Sequence, residues 1–349
     1  VSPKKDLLKR NISGKNILIT GAGGSIGSEL SRQIMKLSPN KVVLLDNSEF
    51  NLYNIHLELV SKGFSIDLIP SLCTVTNYHQ LKKITEMHKI DTIYHAAAYK
   101  HVPMVEMNVV SGAYNNVVGT FNVAKVADEL NVENLVLVST DKAVRPTNVM
   151  GASKRMSELV LQAFSEKSNT CFSMVRFGNV LDSAGSVVPL FRNQIKKGGP
   201  VTVTHRNITR YFMSIPEAVE LVLQSGSMAK GGDVFVLDMG EPIKIIDLAY
   251  KMIHLSGLTP IDIENPDGDI RVEFTGLRPG EKLYEELLIG NDVVQSEHPR
   301  IMQAKESKLT FDEVSICVNT IKSARENQDE KVVKELLLKY VDGYTSEVV

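Results

Sequence analysis

The segment around residue 20 constrains the fold more than any other part of the sequence. The run Asn-Ile-Leu-Ile-Thr at 16–20 continues without a spacer into Gly21-Ala-Gly-Gly24-Ser-Ile-Gly27, and an amphipathic pattern follows. Glycines at such a turn let backbone N–H groups at a helix N-terminus approach a pyrophosphate without a Cβ in the way. The segment therefore predicts the first strand and helix of a dinucleotide-binding domain.

Short apolar runs alternate with longer amphipathic stretches through the first half of the chain. Strands are predicted over 16–20, 41–45, 65–69, 92–95, 134–139 and 171–176, and helices over 25–37, 78–88, 117–130 and 151–164. Such alternation is typical of a parallel sheet with helices on both faces. The predicted fold class is α/β, with a doubly wound parallel sheet (Rossmann fold) and a smaller C-terminal substrate-binding lobe.

Breaks in this rhythm predict four regions. They are a polar N-terminal segment over 1–14, a Rossmann domain over 15–178 to which 212–240 returns, a second lobe built from 179–211 and 241–300, and a helical tail over 301–349. A ligand cleft is expected between the two lobes.

Composition excludes several classes of protein. Lys plus Arg (39) nearly balances Asp plus Glu (41) in the 349 residues, so no net field attracts nucleic acid. No apolar run reaches the roughly 18 residues that span a bilayer, so no membrane contact is expected of this chain. Cys73, Cys171 and Cys317 lie far apart in no metal-ligand spacing, which predicts reduced thiols in a cytoplasmic protein without a bound metal.

The second predicted strand ends at Asp46. A carboxylate at this position is expected to accept hydrogen bonds from the adenosine ribose hydroxyls and to repel a 2′-phosphate, which favours NAD over NADP. A glycine-rich turn can also serve packing alone, but strand, glycines, helix and acidic residue occur here in the order that a cofactor site requires.

The glycine spacing G-x-x-G-x-x-G resembles that of the short-chain dehydrogenase/reductase superfamily. The segments Asp-Thr-Ile-Tyr-His-Ala-Ala-Ala at 91–98, Asn-Val-Val-Gly-Thr-Phe-Asn at 116–122 and Leu-Val-Ser-Thr at 137–140 resemble its extended branch, and the resemblance covers nearly the whole chain. Thr74 stands where the family usually has an acidic residue that reads adenine. The resemblance implies cofactor contacts from Gly21, Gly24, Ser25, Ile26, Gly27, Asp46, Thr74, Val75, Ala96, Ala97, Ala98, Lys100, Asn116 and Lys154.

The catalytic segment of that superfamily has a Ser or Thr on the fifth strand and a Tyr-x-x-x-Lys motif on the next helix. Thr140 and Lys154 match, but Met150 stands at the tyrosine position. A thioether neither donates nor accepts a proton at neutral pH, so another group must act as acid and base. The chain is therefore either a cofactor-binding scaffold without catalysis or an enzyme in which Asp141 and Lys142 carry the protons.

Removal of water from a hexose suits the second interpretation. Hydride leaves C4, a base takes the C5 proton, an acid protonates the departing O6, and hydride returns to C6. Asp141 is the expected acid and Lys142 the expected base, roles that require burial to favour their neutral forms. We further expect Asp141, hydrogen-bonded with Thr140, to take the O4 proton and pass it to O6.

Thr140-Asp141-Lys142 followed by Met150 resembles the UDP-N-acetylglucosamine 4,6-dehydratases of bacterial polysaccharide and protein-glycan biosynthesis. Within that resemblance, Arg210 and Arg278 are expected at the diphosphate, Glu281 at the uridine ribose, and Pro189 and Phe191 at the uracil. The full set of expected substrate contacts is Lys100, Asn179, Val188, Pro189, Phe191, Thr202, Arg210, Arg278 and Glu281. His101 is expected to be structural.

A UDP-hexose 4-epimerase is the main enzymatic alternative, since it shares fold, cofactor and ligand but needs chemistry at C4 alone.

The glycine turn and the Met150 form resemble the larger dehydratases that retain configuration at C5 and carry an N-terminal membrane region. We therefore expect retention of configuration at C5. We also expect a region upstream of Val1 that tethers the protein to the cytoplasmic face of the inner membrane. Relatives associate through the helices after the fourth and fifth strands, which predicts a homo-oligomer, and UDP-N-acetylgalactosamine stays open as an additional substrate.

Overall fold

A nine-stranded sheet organises the computed structural model, which describes residues 4–262, 265–286 and 293–345. The described strands are β1 (Asn16–Thr20), β2 (Lys41–Asp46), β3 (Asp67–Leu72), β4 (Thr92–His95), β5 (Asn134–Val138), β6 (Cys171–Arg176), β7 (Asn179–Val180), β8 (Val201–Val203), β9 (Thr209–Arg210), β10 (Phe212–Met213), β11 (Asp233–Leu237), β12 (Ile243–Lys244), β13 (Pro260–Ile261), β14 (Ile270–Phe274), β15 (Val293–Gln295) and β16 (Ile301–Ala304).

The main sheet has the order β15-β16-β11-β6-β5-β4-β1-β2-β3. The strands from β3 through β1, β4 and β6 to β11 are all parallel, and β16 then pairs antiparallel with β11. The chain progresses in one direction from β1 and in the other from β4, so the order reverses between these two strands. In open α/β sheets, ligands bind at the carboxyl ends of the strands that flank such a reversal.

Helices cover both faces of this sheet, which confirms the predicted doubly wound fold. The described α-helices are α1 (Lys5–Arg10), α2 (Ser25–Met35), α3 (Glu49–Ser61), α4 (Tyr78–Met87), α5 (Val102–Glu106), α6 (Val109–Ala113), α7 (Gly119–Glu129), α8 (Val149–Ser165), α9 (Val187–Lys196), α10 (Ile215–Met228), α11 (Ile245–Leu255), α12 (Phe311–Asn327) and α13 (Glu330–Tyr340), with a π-helical turn at Tyr114–Val118 and a 3₁₀ turn at Asp141–Ala143. None of these helices is both long enough and apolar enough to cross a bilayer.

A small lobe contains its own apolar core. In it β8 pairs with β14 and β14 with β13, while α9 and α11 pack on this sheet. The core is formed by Phe191, Ile195, Val201, Val203, Ile208, Ile245, Ala249, Ile253 and Ile270. The lobe is joined to the main sheet through β7, which pairs with β10 directly after β6.

The structure corrects the predicted boundaries at both ends. Within the expected second lobe and tail, Val293–Gln295 and Ile301–Ala304 are strands of the main sheet rather than parts of a separate unit. The expected polar segment contains α1, which packs on α10, and buries Leu7 and Ile12.

Helices α12 and α13 pack across α8 and its neighbour α6, so the tail belongs to the core of the main domain. Every residue of α8 from Val149 to Phe164 is buried as a result. Association through the helices after the fourth and fifth strands stays a prediction, and the outer side of α8 is covered by α12 and α13 of the same chain.

A network of four charged side chains is enclosed where this tail meets the sheet. The guanidinium of Arg176, with no exposed surface, donates to both oxygens of Glu158 at 2.8 and 2.5 Å and to Glu306 at 2.7 Å. Arg155 lies 3.2 Å from each of the same two carboxylates. Buried charges are tolerated when each has such partners.

Replacing Arg176 by Met is expected to lower the free energy of unfolding by about 3–5 kcal/mol, because Glu158 and Glu306 would lose their main partner out of water. Urea denaturation of the two proteins measures the difference. The matched control is Lys331→Met in the exposed pair with Glu335, where little change is expected. An Arg176→Met protein as stable as the control would show that the network does not stabilise the fold.

Candidate active site

The glycine-rich turn between β1 and α2 leaves space that side chains would fill. Gly21 has φ +66°, and a Cβ there would lie 2.7 Å from the backbone nitrogen of Ala97. At Gly27 a Cβ would lie 1.9 Å from the carbonyl oxygen of Gly21, so α2 can start against the end of β1 because that residue is glycine. The N-terminus of α2 thus faces the carboxyl ends of β1 and β4 directly.

Asp46 closes the turn from the end of β2. One carboxylate oxygen accepts from the backbone N–H of Gly23 and the other from that of Ser48, both at 2.8 Å. The side chain is largely buried, yet each oxygen keeps lone pairs for further donors. This arrangement suits a diol such as a ribose.

An open cleft runs from this turn along the ends of β2, β3 and β4. Eight residues expected at the cofactor line it, namely Gly21, Gly24, Asp46, Thr74, Val75, Ala96, Ala97 and Ala98. Seven residues that were not expected at the cofactor also line it, namely Leu45, Asn47, Ser48, Asn51, Cys73, Tyr99 and Asn115. Burial raises the pKa of the Cys73 thiol to about 11, so this cysteine stays a neutral part of the wall.

Asn116 lies beneath the cleft rather than in its lining. Its side chain accepts from the backbone N–H of Tyr99 at 2.8 Å and donates to the Tyr99 carbonyl and the Ser153 hydroxyl at 3.0 Å. The neighbouring Asn115 takes the position in the cleft wall. Ser25 is engaged as well, since its hydroxyl accepts from the backbone N–H of Ala184 in the loop before α9.

The catalytic segment follows β5 as a single turn of 3₁₀ helix. The Thr140 hydroxyl caps this turn by accepting from the backbone N–H of Lys142. Helix α8 begins close by because position 151 is glycine: a Cβ on Gly151 would lie 2.2 Å from the Lys142 carbonyl oxygen. The sequence therefore brings α8 and the segment Thr140–Lys142 into direct backbone contact.

Asp141 is almost completely buried, and one of its oxygens is unused. Oδ1 accepts from the Thr140 hydroxyl at 2.9 Å and from the Lys142 ammonium at 3.0 Å. Oδ2 has no hydrogen-bond partner among the described residues. A buried carboxylate oxygen without a donor is costly unless a ligand supplies one, which makes it a candidate contact for a hydroxyl of the substrate.

Lys142 stands between two carboxylates. Its Nζ lies 3.0 Å from Asp141, 3.2 Å from the side-chain oxygen of Asn179 and 3.6 Å from Glu285. Burial alone would lower the pKa of Lys142, but Asp141 and Glu285 outweigh it and raise the pKa, with Arg210 opposing them. The sequence-based expectation of a lowered pKa was wrong for the free protein, because that expectation did not include Glu285.

Met150 and Lys154 lie on the buried helix α8. The thioether of Met150 packs in the main apolar core. Burial lowers the pKa of Lys154 to about 8, although Glu158 opposes the shift, and its ammonium donates to the Val138 carbonyl at 2.8 Å. Burial and the nearby Lys154 also lower the pKa of His95 to about 3, so this histidine is neutral and bridges hydroxyls of β1 and α7.

Arg210, the last residue of β9, contacts the loop over 276–286. Its guanidinium donates to the backbone carbonyls of Thr209 and Leu283 and lies 3.5 Å from Glu281 and 3.7 Å from Glu285. A diphosphate bound here would have to compete with these acceptors for Arg210. The side chain of Arg278, by contrast, is exposed and has no ion pair with the described residues.

Of the remaining expected substrate contacts, one lies at the proton-transfer pair and the others lie in the small lobe. Asn179 faces Lys142, whereas the ring of Phe191 is wholly buried in the core of the small lobe, so its expected place in a uracil slot is corrected. The Thr202 hydroxyl accepts from Gln194, while Val188 and Pro189 are half-buried in the first turn of α9.

Lys100 and His101 follow β4 at the mouth of the site. Burial, and then the charge of Lys142, lowers the pKa of Lys100. Burial and Lys100 lower the pKa of His101. Its ring contacts Gly185, where a Cβ would lie 2.5 Å from Cε1.

The fold and the glycine-rich turn define a member of the extended short-chain dehydrogenases/reductases. Within that class, the chain belongs to the family described as polysaccharide biosynthesis protein, whose model matches residues 17–306.

Similar proteins agree with this assignment. The chain is 50% identical over 318 residues to the capsular polysaccharide biosynthesis protein CapD of Staphylococcus aureus, which covers 90% of this chain and 52% of CapD. It is 34% identical over 292 residues to a UDP-glucose 4-epimerase of Rickettsia massiliae, covering 82% of this chain and 81% of that protein. The X-ray structure of Pen from Bacillus thuringiensis matches with a TM-score of 0.74 and 32% identity, over 86% of this chain and 90% of Pen. The chain spans about half the length of CapD.

Replacing Gly21 by Ala is expected to lower dinucleotide affinity roughly tenfold or more, since a positive φ and a backbone clash each cost on the order of 1–3 kcal/mol. Isothermal titration with NAD measures the loss. Gly63→Ala is the matched control, because Gly63 has φ +68° but no described atom within 4 Å of its Cβ position. Equal affinity of both variants would mean that the turn does not hold the cofactor.

Proposed function

We propose that this chain catalyses the NAD-dependent dehydration of UDP-N-acetylglucosamine to a UDP-2-acetamido-2,6-dideoxy-4-hexulose, with retention at C5. The observation that carries the proposal is the pair formed by Asp141 and Lys142 at the end of β5. One carboxylate oxygen there is buried and unpartnered, while the position of the usual tyrosine holds a buried methionine.

The cleft at the glycine-rich turn fits NAD. Backbone N–H groups at the start of α2 would hold the pyrophosphate, and the Asp46 carboxylate would accept from the adenosine ribose while repelling a 2′-phosphate. When bound, NAD would supply the hydride acceptor for C4 and, once reduced, the hydride donor for C6. Lys154 would donate to the nicotinamide ribose once it leaves the Val138 carbonyl.

The small lobe would supply the sugar-nucleotide contacts. Arg278 is the exposed cation for the diphosphate, and Glu281, which already accepts from the backbone N–H of Arg278, would accept from the uridine ribose. Arg210 joins them if the diphosphate displaces its contacts with Glu281 and Glu285. The Asn179 side chain faces the proton-transfer pair and would contact the hexose.

Asp141 handles the oxygen-bound proton in this proposal. As C4 is oxidised, the unpartnered Oδ2 takes the O4 proton while Thr140 holds Oδ1 in place. The carboxyl group that results then gives this proton to O6 when the C6–O6 bond breaks, so that water leaves. Asp141 ends as a carboxylate, ready for the next cycle.

Lys142 handles the carbon-bound proton. In the free protein Asp141 and Glu285 favour its charged form, but Asp141 becomes neutral once it holds the O4 proton, and one of the two opposing charges is lost. The side chain is one-fifth exposed and can give its proton to water. The neutral amine takes the C5 proton, the C5–C6 double bond forms as O6 departs, and the resulting ammonium returns a proton to C5 from the same face.

Incubation with NAD and UDP-N-acetylglucosamine tests the reaction. Mass spectrometry is expected to show a product lighter by about 18 mass units, whereas epimerisation leaves the mass unchanged and a non-catalytic scaffold gives no product. Proton NMR of the product in deuterated water reports the C5 configuration. Inversion at C5 would contradict return of the proton by Lys142 from the same face.

Replacing Asp141 by Asn is expected to lower turnover roughly a hundredfold or more, because the amide keeps the acceptor for Thr140 but cannot carry the proton. Steady-state rates measured by formation of the 4-keto product test this. Retention of more than about a tenth of the wild-type rate would assign the proton transfer to another group.

A UDP-hexose 4-epimerase is the second candidate, favoured by the similarity to the Rickettsia massiliae protein of that name. An epimerase would release a C4 epimer of equal mass and would not need a base for the C5 proton. Exchange of deuterium at C5 of recovered substrate would therefore count against it.

A further inference from the structure

A third carboxylate reaches the proton-transfer pair from the other lobe. Glu285 lies after β14 in the loop over 276–286 and is 8% exposed. Its Oε1 lies 3.6 Å from the Lys142 ammonium and 3.7 Å from the Arg210 guanidinium. Its Oε2 is buried and has no hydrogen-bond partner among the described residues.

The loop that carries Glu285 is docked firmly on the catalytic segment. The Gly280 carbonyl accepts from the Thr147 hydroxyl at 2.8 Å and from the Asn148 side chain at 3.1 Å, and the Lys282 ammonium donates to the Val144 carbonyl at 2.8 Å. A Cβ on Gly280 would lie 2.8 Å from Asn148, so this approach requires glycine. The position of Glu285 is therefore set by the same residues that connect β5 to α8.

Four charged groups interact electrostatically with Lys142, and they come from different elements. Asp141 precedes it in the chain, Glu285 comes from the loop, Arg210 from β9, and Lys100 from the segment after β4. The two cations favour a neutral Lys142 and the two carboxylates a charged one. Glu285 is the carboxylate of this group that keeps its charge when Asp141 takes a proton.

We propose that Glu285 is a positioning residue for proton transfer, which holds the Lys142 amine at the end of β5 and sets its ionisation state. The inference rests on the proposed function for the role of Lys142 in the reaction, but not for the contact itself. It explains why a buried carboxylate of the small lobe lies within reach of an amine of the large one.

The contact can be tested on Lys142 directly. An amine-selective acylating reagent labels the neutral form, and peptide mass spectrometry gives the labelling rate of Lys142 at about pH 9, well below the ordinary midpoint. Glu285→Gln removes a charge that favours the ammonium form, so labelling is expected to rise, by roughly tenfold if the midpoint falls by about one pH unit. Glu286→Gln is the matched control, because this neighbour pairs with the exposed Arg145.

A conservative variant separates charge from shape. Glu285→Asp keeps the carboxylate, so Lys142 is expected to label at close to the wild-type rate. Equal labelling rates in wild type and Glu285→Gln, or equal rates in the Asp and Gln variants, would overturn the proposal. Circular dichroism and thermal melting confirm that each variant is folded before it is labelled.

Turnover gives the second measurement. With UDP-N-acetylglucosamine and NAD, the rising limb of the kcat–pH profile is expected to move to lower pH in Glu285→Gln, with a larger effect on kcat than on KM. An unmoved limb together with faster labelling would overturn the positioning role. Absence of turnover in the wild type would refute the proposed function, whereas the labelling rates would still decide the contact.

Discussion

The enclosed pairing of Arg176 with Glu158 and Glu306 is the interaction on which the rest of the structure depends. Charges buried this deeply are tolerated only when each is paired with an opposite charge. The segments that carry them, β6, α8 and the chain after β16, must therefore assemble as one unit. Glu158 also accepts from the Ser139 hydroxyl at 2.6 Å, directly before the catalytic turn. The end of β5 is thus fixed from beneath by a network that has no contact with the cleft, and the segment Thr140–Lys142 takes its position from that network.

The dinucleotide end of the site could be predicted because its signals are local. Strand, glycines and helix succeed one another within a dozen residues, and Asp46 ends the very next strand, so spacing alone places them at one edge of the sheet. Glu285 could not be placed this way, since no periodic pattern relates it to a residue 143 positions earlier. The available signal was Tyr-Glu-Glu at 284–286, shortly after Arg278 and Glu281, and the sequence does not say which of its two glutamates is buried.

Other differences have equally physical causes. Helix α3 was not predicted because Phe50 and Tyr53 are exposed while Leu52 and Ile55 are buried, so the apolar residues form no single stripe. Phe191 was assigned to a ligand slot because its neighbours resembled one, but the stripe of α9 turns its ring into the core of the small lobe. Periodicity likewise indicates which face of α12 is apolar, through residues such as Val314, but not which helix that face covers.

The covering of α8 by its own chain has a consequence for the site. This helix carries Met150 and Lys154, and α12 and α13 pack on its outer side. The outer packing of α8, behind the proton-transfer site, is therefore supplied by the same chain. Because the same tail residue Glu306 balances Arg176, loss of the tail would expose α8 and leave a buried cation short of a partner beneath the catalytic turn.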